Sequence, residues 1–223
     1  MAREIIETKP IWGLEFDIAN KNFGRFRLRE NDKYVYSSSL IGVVSELKLV
    51  QKENRENLII NLTDKDDGTV ETIFFNFNDF NTYNVINALA GLHFETGSFH
   101  RFVIKIGAYP RSNSMTKKLE QGLSVMRPST TEYGKWEIIK YGYVKEEIPQ
   151  TKTSINPHTG EKTFDSSEKK QFWRNVVGSI LTPALYPERA PMTMQSPTQP
   201  NYEQAEQTKT ESQTSVVGDD IPF

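Results

Sequence analysis

The spacing of hydrophobic residues predicts a chain built mainly of β-strands. In residues 72–77, Ile73, Phe75 and Phe77 form an apolar row that leaves Phe74 on the polar side, as expected for a strand with one buried face. The longest such segment can bend at Gly42. Strand-like patterns occupy residues 12–18, 25–29, 34–51, 58–62, 70–77, 99–109, 123–127 and 135–144.

A hairpin turn and a helix interrupt this pattern. An acidic run ends in Gly68, which can adopt the positive φ of a hairpin turn. Residues 79–92 place apolar side chains at helical spacing, with Asp79 as the N-cap and Gly91 at the end. A three-stranded meander, a helix and two or more further strands match the order of elements in an OB-fold barrel. We therefore expect residues 1–150 to form a mainly β domain, an OB-like five-stranded barrel with an inserted helix.

The chain changes character after this domain. Residues 151–164 are polar and turn-rich and predict a connector, and residues 165–182 predict an extra C-terminal helix. Its apolar stripe consists of Phe172, Trp173, Val176, Val177, Ile180 and Leu181. We expect the stripe to dock on the barrel or on a second subunit, in preference to a nucleic-acid contact through Trp173. Residues 183–223 are rich in Pro, Gln, Ser, Thr and Glu and predict a disordered acidic tail.

Composition narrows the class of protein. The 223 residues include no cysteine, which excludes disulfides, cysteine-ligated zinc and thiol catalysis and fits a reducing cytoplasm. The sequence has neither an apolar run of about 20 residues nor a long apolar signal region near Met1. Two basic and six acidic residues give residues 183–223 a net charge of −4, which leaves +2 for the rest of a chain whose total is −2. A mildly basic body with an acidic tail fits a nucleic-acid-binding protein whose tail can compete for its own groove.

Signals of catalysis are weak. None of the three histidines, His93, His100 and His158, has a metal-ligand spacing, and the sequence has no phosphate-binding loop of the Walker type. Four carboxylates could hold Mg²⁺ for a nuclease, although a hairpin turn explains them better: Asp64, Asp66, Asp67 and Glu71. We expect a protein that is not an enzyme and that uses no cofactor.

Aromatic and basic residues share the strand faces that point away from the predicted core. Such a face can stack unpaired bases at about 1–3 kcal/mol per base, against about 0–1 kcal/mol for an exposed ion pair. The same aromatics could instead cover a second layer or a dimer interface. The candidate nucleic-acid-binding residues are Arg25, Arg27, Arg29, Tyr34, Tyr36, Phe74, Phe99, Arg101, Lys105 and Tyr109, with Arg111, Lys117 and Lys118 in a basic loop.

The last five residues combine charge with an apolar end. Asp219 and Asp220 precede Ile221, Pro222 and Phe223, and the terminal residue also carries the α-carboxylate. This tip resembles the C-terminal tip of bacterial-type single-stranded DNA-binding proteins. In that family a folded OB domain holds DNA, and an acidic tail ending in Asp-Ile-Pro-Phe recruits replication and repair proteins.

The resemblance implies a role for each residue of the tip. Asp219, Asp220, Ile221, Pro222 and Phe223 would dock on partner proteins, with Phe223 as the anchor. The segment before them, Val216-Val217-Gly218, departs from the family, in which further acidic residues are common at this place. The implied protein is a diverged or phage-encoded member that coats single-stranded DNA in the cytoplasm of a bacterial cell during replication, recombination or repair.

Other functions stay open at this point. A strand-annealing or recombination-mediator protein would share the DNA-binding face. A structural or adaptor protein would use its barrel to bind protein and its helix to assemble, and a nuclease would use the four carboxylates named above. Whether the chain forms a homo-oligomer is also open.

Overall fold

The structure of the protein, a computed structural model, describes residues 11–15, 25–30, 33–52, 54–112 and 119–187. Within these ranges the chain is mainly β, as predicted. The strands of its large sheet are β1 (Ile11–Glu15), β2 (Arg25–Glu30), β3 (Lys33–Ser37), β4 (Ser39–Lys52), β5 (Arg55–Thr63), β6 (Val70–Asn76), β7 (Val103–Ser112), β8 (Leu119–Pro128) and β9 (Trp136–Ile138). A separate two-stranded hairpin consists of β10 (Lys152–Ile155) and β11 (Lys162–Asp165).

Helical segments follow β6, β9 and the hairpin. Helix α1 (Phe80–Thr96) and a 3-10 helix (Phe99–Arg101) connect β6 to β7, and a second 3-10 helix (Lys145–Glu147) follows β9. The C-terminal helix has three consecutive parts: α2 (Ser167–Asn175), a π-helical turn (Val176–Leu181) and α3 (Thr182–Leu185).

The large sheet is open. Its strands run in the order β3-β2-β1-β6-β5-β4-β7-β8-β9, and neighbours are antiparallel except for the parallel pair β1 and β6. In the described part of the chain no ladder joins β3 to β9, so the predicted five-stranded barrel is corrected to an open sheet of nine strands. The physical reason lies at β6, where β1 occupies the edge on which a closing strand would pair.

The apolar rows of the strands meet in one core. Ile73, Phe75 and Phe77 are fully buried there, as their alternation predicts, and Phe26 of β2 joins them. The acidic turn also matches its prediction, because Gly68 has φ 74° and Asp64 accepts its backbone N–H.

Helix α1 covers this core and is longer than predicted. Its N-cap is Asp79, whose carboxylate accepts the backbone N–H of Asn81 at 2.8 Å. The helix continues past Gly91 and ends at Gly97, which has φ 72°. Gly91 has a packing role instead: a Cβ there would lie 1.9 Å from the carbonyl oxygen of Lys140.

The C-terminal helix docks on the body of the protein, as expected. Trp173 is buried and stacks on Tyr83 of α1, with ring centroids 5.7 Å apart. The Nε–H of Arg174 donates a bifurcated hydrogen bond to both carboxylate oxygens of Glu56, and Nη2 donates a second hydrogen bond to Oε2. The helix extends through Leu185, so the first residues of the predicted tail are helical.

Several other boundaries differ from the sequence-based ones. The predicted strand at residues 34–51 is two strands, β3 and β4, and the predicted connector at residues 151–164 contains most of the hairpin β10–β11. Residues 99–101 form a 3-10 helix rather than the start of a strand. Strand β7 instead continues to Ser112, into the predicted basic loop, because it pairs with β8 as far as Leu119.

Candidate nucleic-acid interface

One cross-strand row brings predicted residues from β2, β3 and the distant β6 onto the outer face of the sheet. In the ladder, Phe74 of β6 pairs with Gly13 of β1, Gly13 pairs with Arg27 of β2, and Arg27 pairs with Tyr36 of β3. Side chains directly opposite one another share a face, so these four positions point the same way. The row runs across the side of the sheet that faces away from the core.

Burial of the alternate residues fixes the direction of this row. Trp12, Phe26 and Ile73, each one position along the strand from a member of the row, are buried in the core. Phe74 is half-buried and Arg27 is exposed. We call the set Phe74, Gly13, Arg27, Tyr36 and the neighbouring Tyr34 the outer row.

Arginine and tyrosine side chains are already in contact at one end of the outer row. The guanidinium carbon of Arg27 lies 4.6 Å from the ring centroid of Tyr34, which is 51% exposed. Arg29 pairs with Tyr34 across the ladder, and Arg25 is exposed two positions before Arg27. The face therefore combines π-surfaces with cations, which is the combination that unpaired bases and phosphates require.

A second cluster lies where β7 meets the start of α1. The guanidinium of Arg111 lies 5.4 Å from the ring centroid of Phe80 and forms a 3.1 Å ion pair with Glu120. Tyr109 lies over Gly122, where an added Cβ would be 2.7 Å from its ring. Phe80, Tyr109 and Tyr141 are each about half exposed, at 50%, 43% and 54%.

Tyr141 shares the electrostatic environment of this cluster. Burial raises the pKa of its phenol above the usual value, the nearby Tyr109 raises it further, and Arg111 opposes both effects. The hydroxyl therefore stays protonated and can donate a hydrogen bond at neutral pH. Phe80 and Tyr141 were not predicted: Phe80 reads only as the first residue of a helix, and Tyr141 only as part of a short strand.

Lys105 occupies a more apolar part of the same sheet face. The ladder places it in a row with Ile41 of β4, Met126 of β8 and Ile138 of β9. Its ammonium lies 5.6 Å from the ring centroid of Trp136, another residue that the strand pattern did not single out.

The structure removes Phe99 from the set of stacking residues. Its side chain has 0% exposure and packs edge-on against His93 and His100, at centroid distances of 6.3 and 5.9 Å. The prediction failed because the period of two does not apply in the 3-10 helix that holds this residue. Arg101 of the same helix is exposed but does not continue the strand row of Lys105.

Some predicted residues lie outside the described part of the chain. They are Lys117 and Lys118 of the basic loop, and the tip residues Asp219, Asp220, Ile221, Pro222 and Phe223.

Three of the four acidic residues considered for a metal lie in the turn before β6, and Glu71 lies in β6 itself. Asp64 and Asp67 accept backbone N–H groups of Asp66 and Thr69, at 2.7 and 2.8 Å, and Glu71 accepts a hydrogen bond from the indole of Trp12. In the ranges that the structure describes, three or more His, Asp or Glu side chains nowhere gather in a way that could hold a metal ion.

Comparison with protein-family models, with curated proteins and with solved structures returns no match for this chain. Among the described helices none has the length and apolar character needed to cross a bilayer.

Proposed function

We propose that this protein binds single-stranded DNA without catalysis, coats it during replication, recombination or repair, and recruits partner proteins through its C-terminal tip. The observation that carries the proposal is the outer row, in which Phe74, Arg27, Tyr34 and Tyr36 share one sheet face. Aromatic surfaces contribute stacking that is insensitive to base identity, and arginines neutralise phosphates.

The order of elements supports an OB-like body. Strands β4, β5 and β6 form a meander, α1 follows, and β7 and β8 complete the set of five. Strand β4 is shared, since its first half pairs with β7 and its second half with β5. We interpret these five strands as an opened version of the OB arrangement, whose sheet face binds oligonucleotides in other proteins. On this interpretation β1 to β3 extend the binding face beyond the barrel strands.

Unpaired DNA is the favoured ligand for a geometric reason. A duplex presents base edges in its grooves and keeps the base faces stacked inside. Half-exposed rings on a sheet can stack only on bases whose faces are free. The proposed protein therefore prefers single strands to duplex and has little sequence preference.

The test is a pair of titrations. Fluorescein-labelled oligo-dT and a duplex of equal length are titrated with the full chain at several salt concentrations. We expect tighter binding of oligo-dT, and affinity for it that falls as salt rises. Arg27→Ala should weaken binding and flatten the salt dependence, whereas Lys145→Ala, an exposed cation of the second 3-10 helix, should change neither. Equal affinity for the two DNAs would contradict the proposal.

The role of the tip has its own test. A chain that ends at Gly218 should bind oligo-dT at least as tightly as the full chain, because an acidic competitor has been removed. It should no longer capture replication or repair proteins from a bacterial extract, and a peptide with the sequence Asp-Asp-Ile-Pro-Phe should block capture by the full chain. Capture that survives both changes would remove the tip from the proposal.

A further inference from the structure

The outer row contains a gap at Gly13. Its neighbours in the row are Phe74 on one side and Arg27 on the other, and a Cβ built on Gly13 meets no atom within 4 Å. The φ of this residue is not in the left-handed region, so its backbone conformation does not demand glycine. Every other member of the row carries a large side chain. The missing side chain therefore leaves a depression in the outer face. Neither the backbone conformation nor a close contact explains why this residue is a glycine.

The general spacing of strands leaves room for one aromatic ring above Gly13. Phe74 and Arg27 stand on strands that are separated by β1, and two strand spacings amount to about 9.5 Å. Stacked aromatic groups have centroids about 4.5–7 Å apart, so a single ring fits between two walls at this separation and a second does not. Arg27 is steadied by its contact with Tyr34, so this wall is a guanidinium backed by a ring.

We propose that Gly13 is the floor of a slot that takes one unpaired nucleobase between Phe74 and the Arg27–Tyr34 pair. This inference rests on the proposed function and assigns a particular contact to it. The chemistry of the walls suits a base, since a phenyl ring stacks on one face and a guanidinium on the other. Arg25, which is exposed two positions along β2 from Arg27 and pairs with Glu15 across the ladder, is the candidate for a neighbouring phosphate. A base inside a duplex cannot enter, because both of its faces are covered.

The central test fills the slot. Gly13→Leu adds a side chain where the structure has open space, and Gly178→Leu is the matched control, since Gly178 also has nothing within 4 Å of an added Cβ and lies on the C-terminal helix. Both variants and the parent chain are titrated with oligo-dT over a series of salt concentrations. Because one stacked base is lost, the affinity of the Gly13→Leu variant for oligo-dT should be about 5- to 150-fold lower than that of the parent chain. The Gly178→Leu control should keep the parent affinity. The salt dependence should stay the same in all three, because no phosphate contact is removed.

The outcomes separate this inference from the proposed function. If the parent chain does not prefer oligo-dT, the proposed function fails. If it does, and Gly13→Leu binds as tightly as Gly178→Leu, the slot is wrong and the function stands. Should Gly13→Leu not fold, as judged by circular dichroism, Phe74→Trp decides: stacking of a base in the slot should quench the fluorescence of this tryptophan, measured as the difference from the parent chain. An unchanged difference signal on saturation with oligo-dT would overturn the inference.

Discussion

Trp173 provides the sharpest test of how the C-terminal helix is held. Its side chain is 1% exposed, lies nearly parallel to the ring of Tyr83 at 13°, and meets Phe172 and Tyr143 edge-on at centroid distances of 4.9 and 6.2 Å. Truncation of a buried tryptophan to alanine costs about 3–5 kcal/mol. Against a total stability of about 5–15 kcal/mol, Trp173→Ala should remove a large part of the free energy of unfolding.

The indole N–H makes a second substitution informative. Within the described residues Nε1 of Trp173 is buried and has no hydrogen-bond acceptor. A buried donor without a partner costs about 1–3 kcal/mol, and Trp173→Phe removes that donor while it keeps an aromatic ring against Tyr83. The gain offsets the loss of volume, so we expect Trp173→Phe to change the free energy of unfolding by less than about 1.5 kcal/mol.

Urea unfolding followed by far-ultraviolet circular dichroism measures both variants. At a slope of about 2 kcal/mol per molar urea, Trp173→Ala should lower the midpoint by about 1.5–2.5 M, and Trp173→Phe by less than about 0.8 M. The folded Phe variant should bind oligo-dT like the parent chain, because Trp173 is not on the outer face. Equal losses from Ala and Phe would refute the reasoning, since they would mean that the indole N–H makes a hydrogen bond that the structure does not show.

Two further predictions concern α1 and the 3-10 helix that follows it. Gly91→Ala should cost about 1–3 kcal/mol in the same assay, because its methyl group would lie 1.9 Å from the carbonyl oxygen of Lys140; an unchanged midpoint would contradict this close contact. Burial lowers the pKa of His93 and of His100 below the ordinary 6.5. At pH values below 6.5 the unfolded chain therefore binds more protons than the folded chain, so the free energy of unfolding falls as the pH is lowered. Replacement of both by Gln should flatten this acid-side decline between pH 7 and pH 5, and an identical decline would count against it.

Local patterns in the sequence predicted which side of each strand is buried. The alternation in residues 72–77 assigned Ile73, Phe75 and Phe77 to the core, and all three are fully buried. In β2 the pattern assigned Phe26 to the buried side and the three arginines to the opposite side, and Phe26 is fully buried. These assignments succeed because one buried face imposes a period of two wherever the backbone is extended.

Predictions failed where the backbone left that period or where the partner was distant. Phe99 was assigned by strand parity, but a 3-10 turn carries it into the core between two histidines. Gly91 looked like a helix stop, whereas it permits the close approach of a segment about 50 residues further on. A glycine is ambiguous in a sequence because a stop and a close contact both favour the absence of a side chain.

The outer row shows why a candidate site could be predicted in its parts but not as a unit. Phe74 and Arg27 were both candidates, yet nothing local says that β1 lies between their strands or that it runs parallel to β6. Without knowledge of that strand pairing, nothing in the sequence distinguishes Gly13 from the other glycines. With it, the same residue lies between the strand that carries Phe74 and the strand that carries Arg27. The net charge of the whole body says little about this face, because the ladder gathers arginines and aromatics there, with Glu15 opposite Arg25. Other acidic side chains are engaged away from it, as in the turn at Asp64 and the ion pair of Glu56 with Arg174.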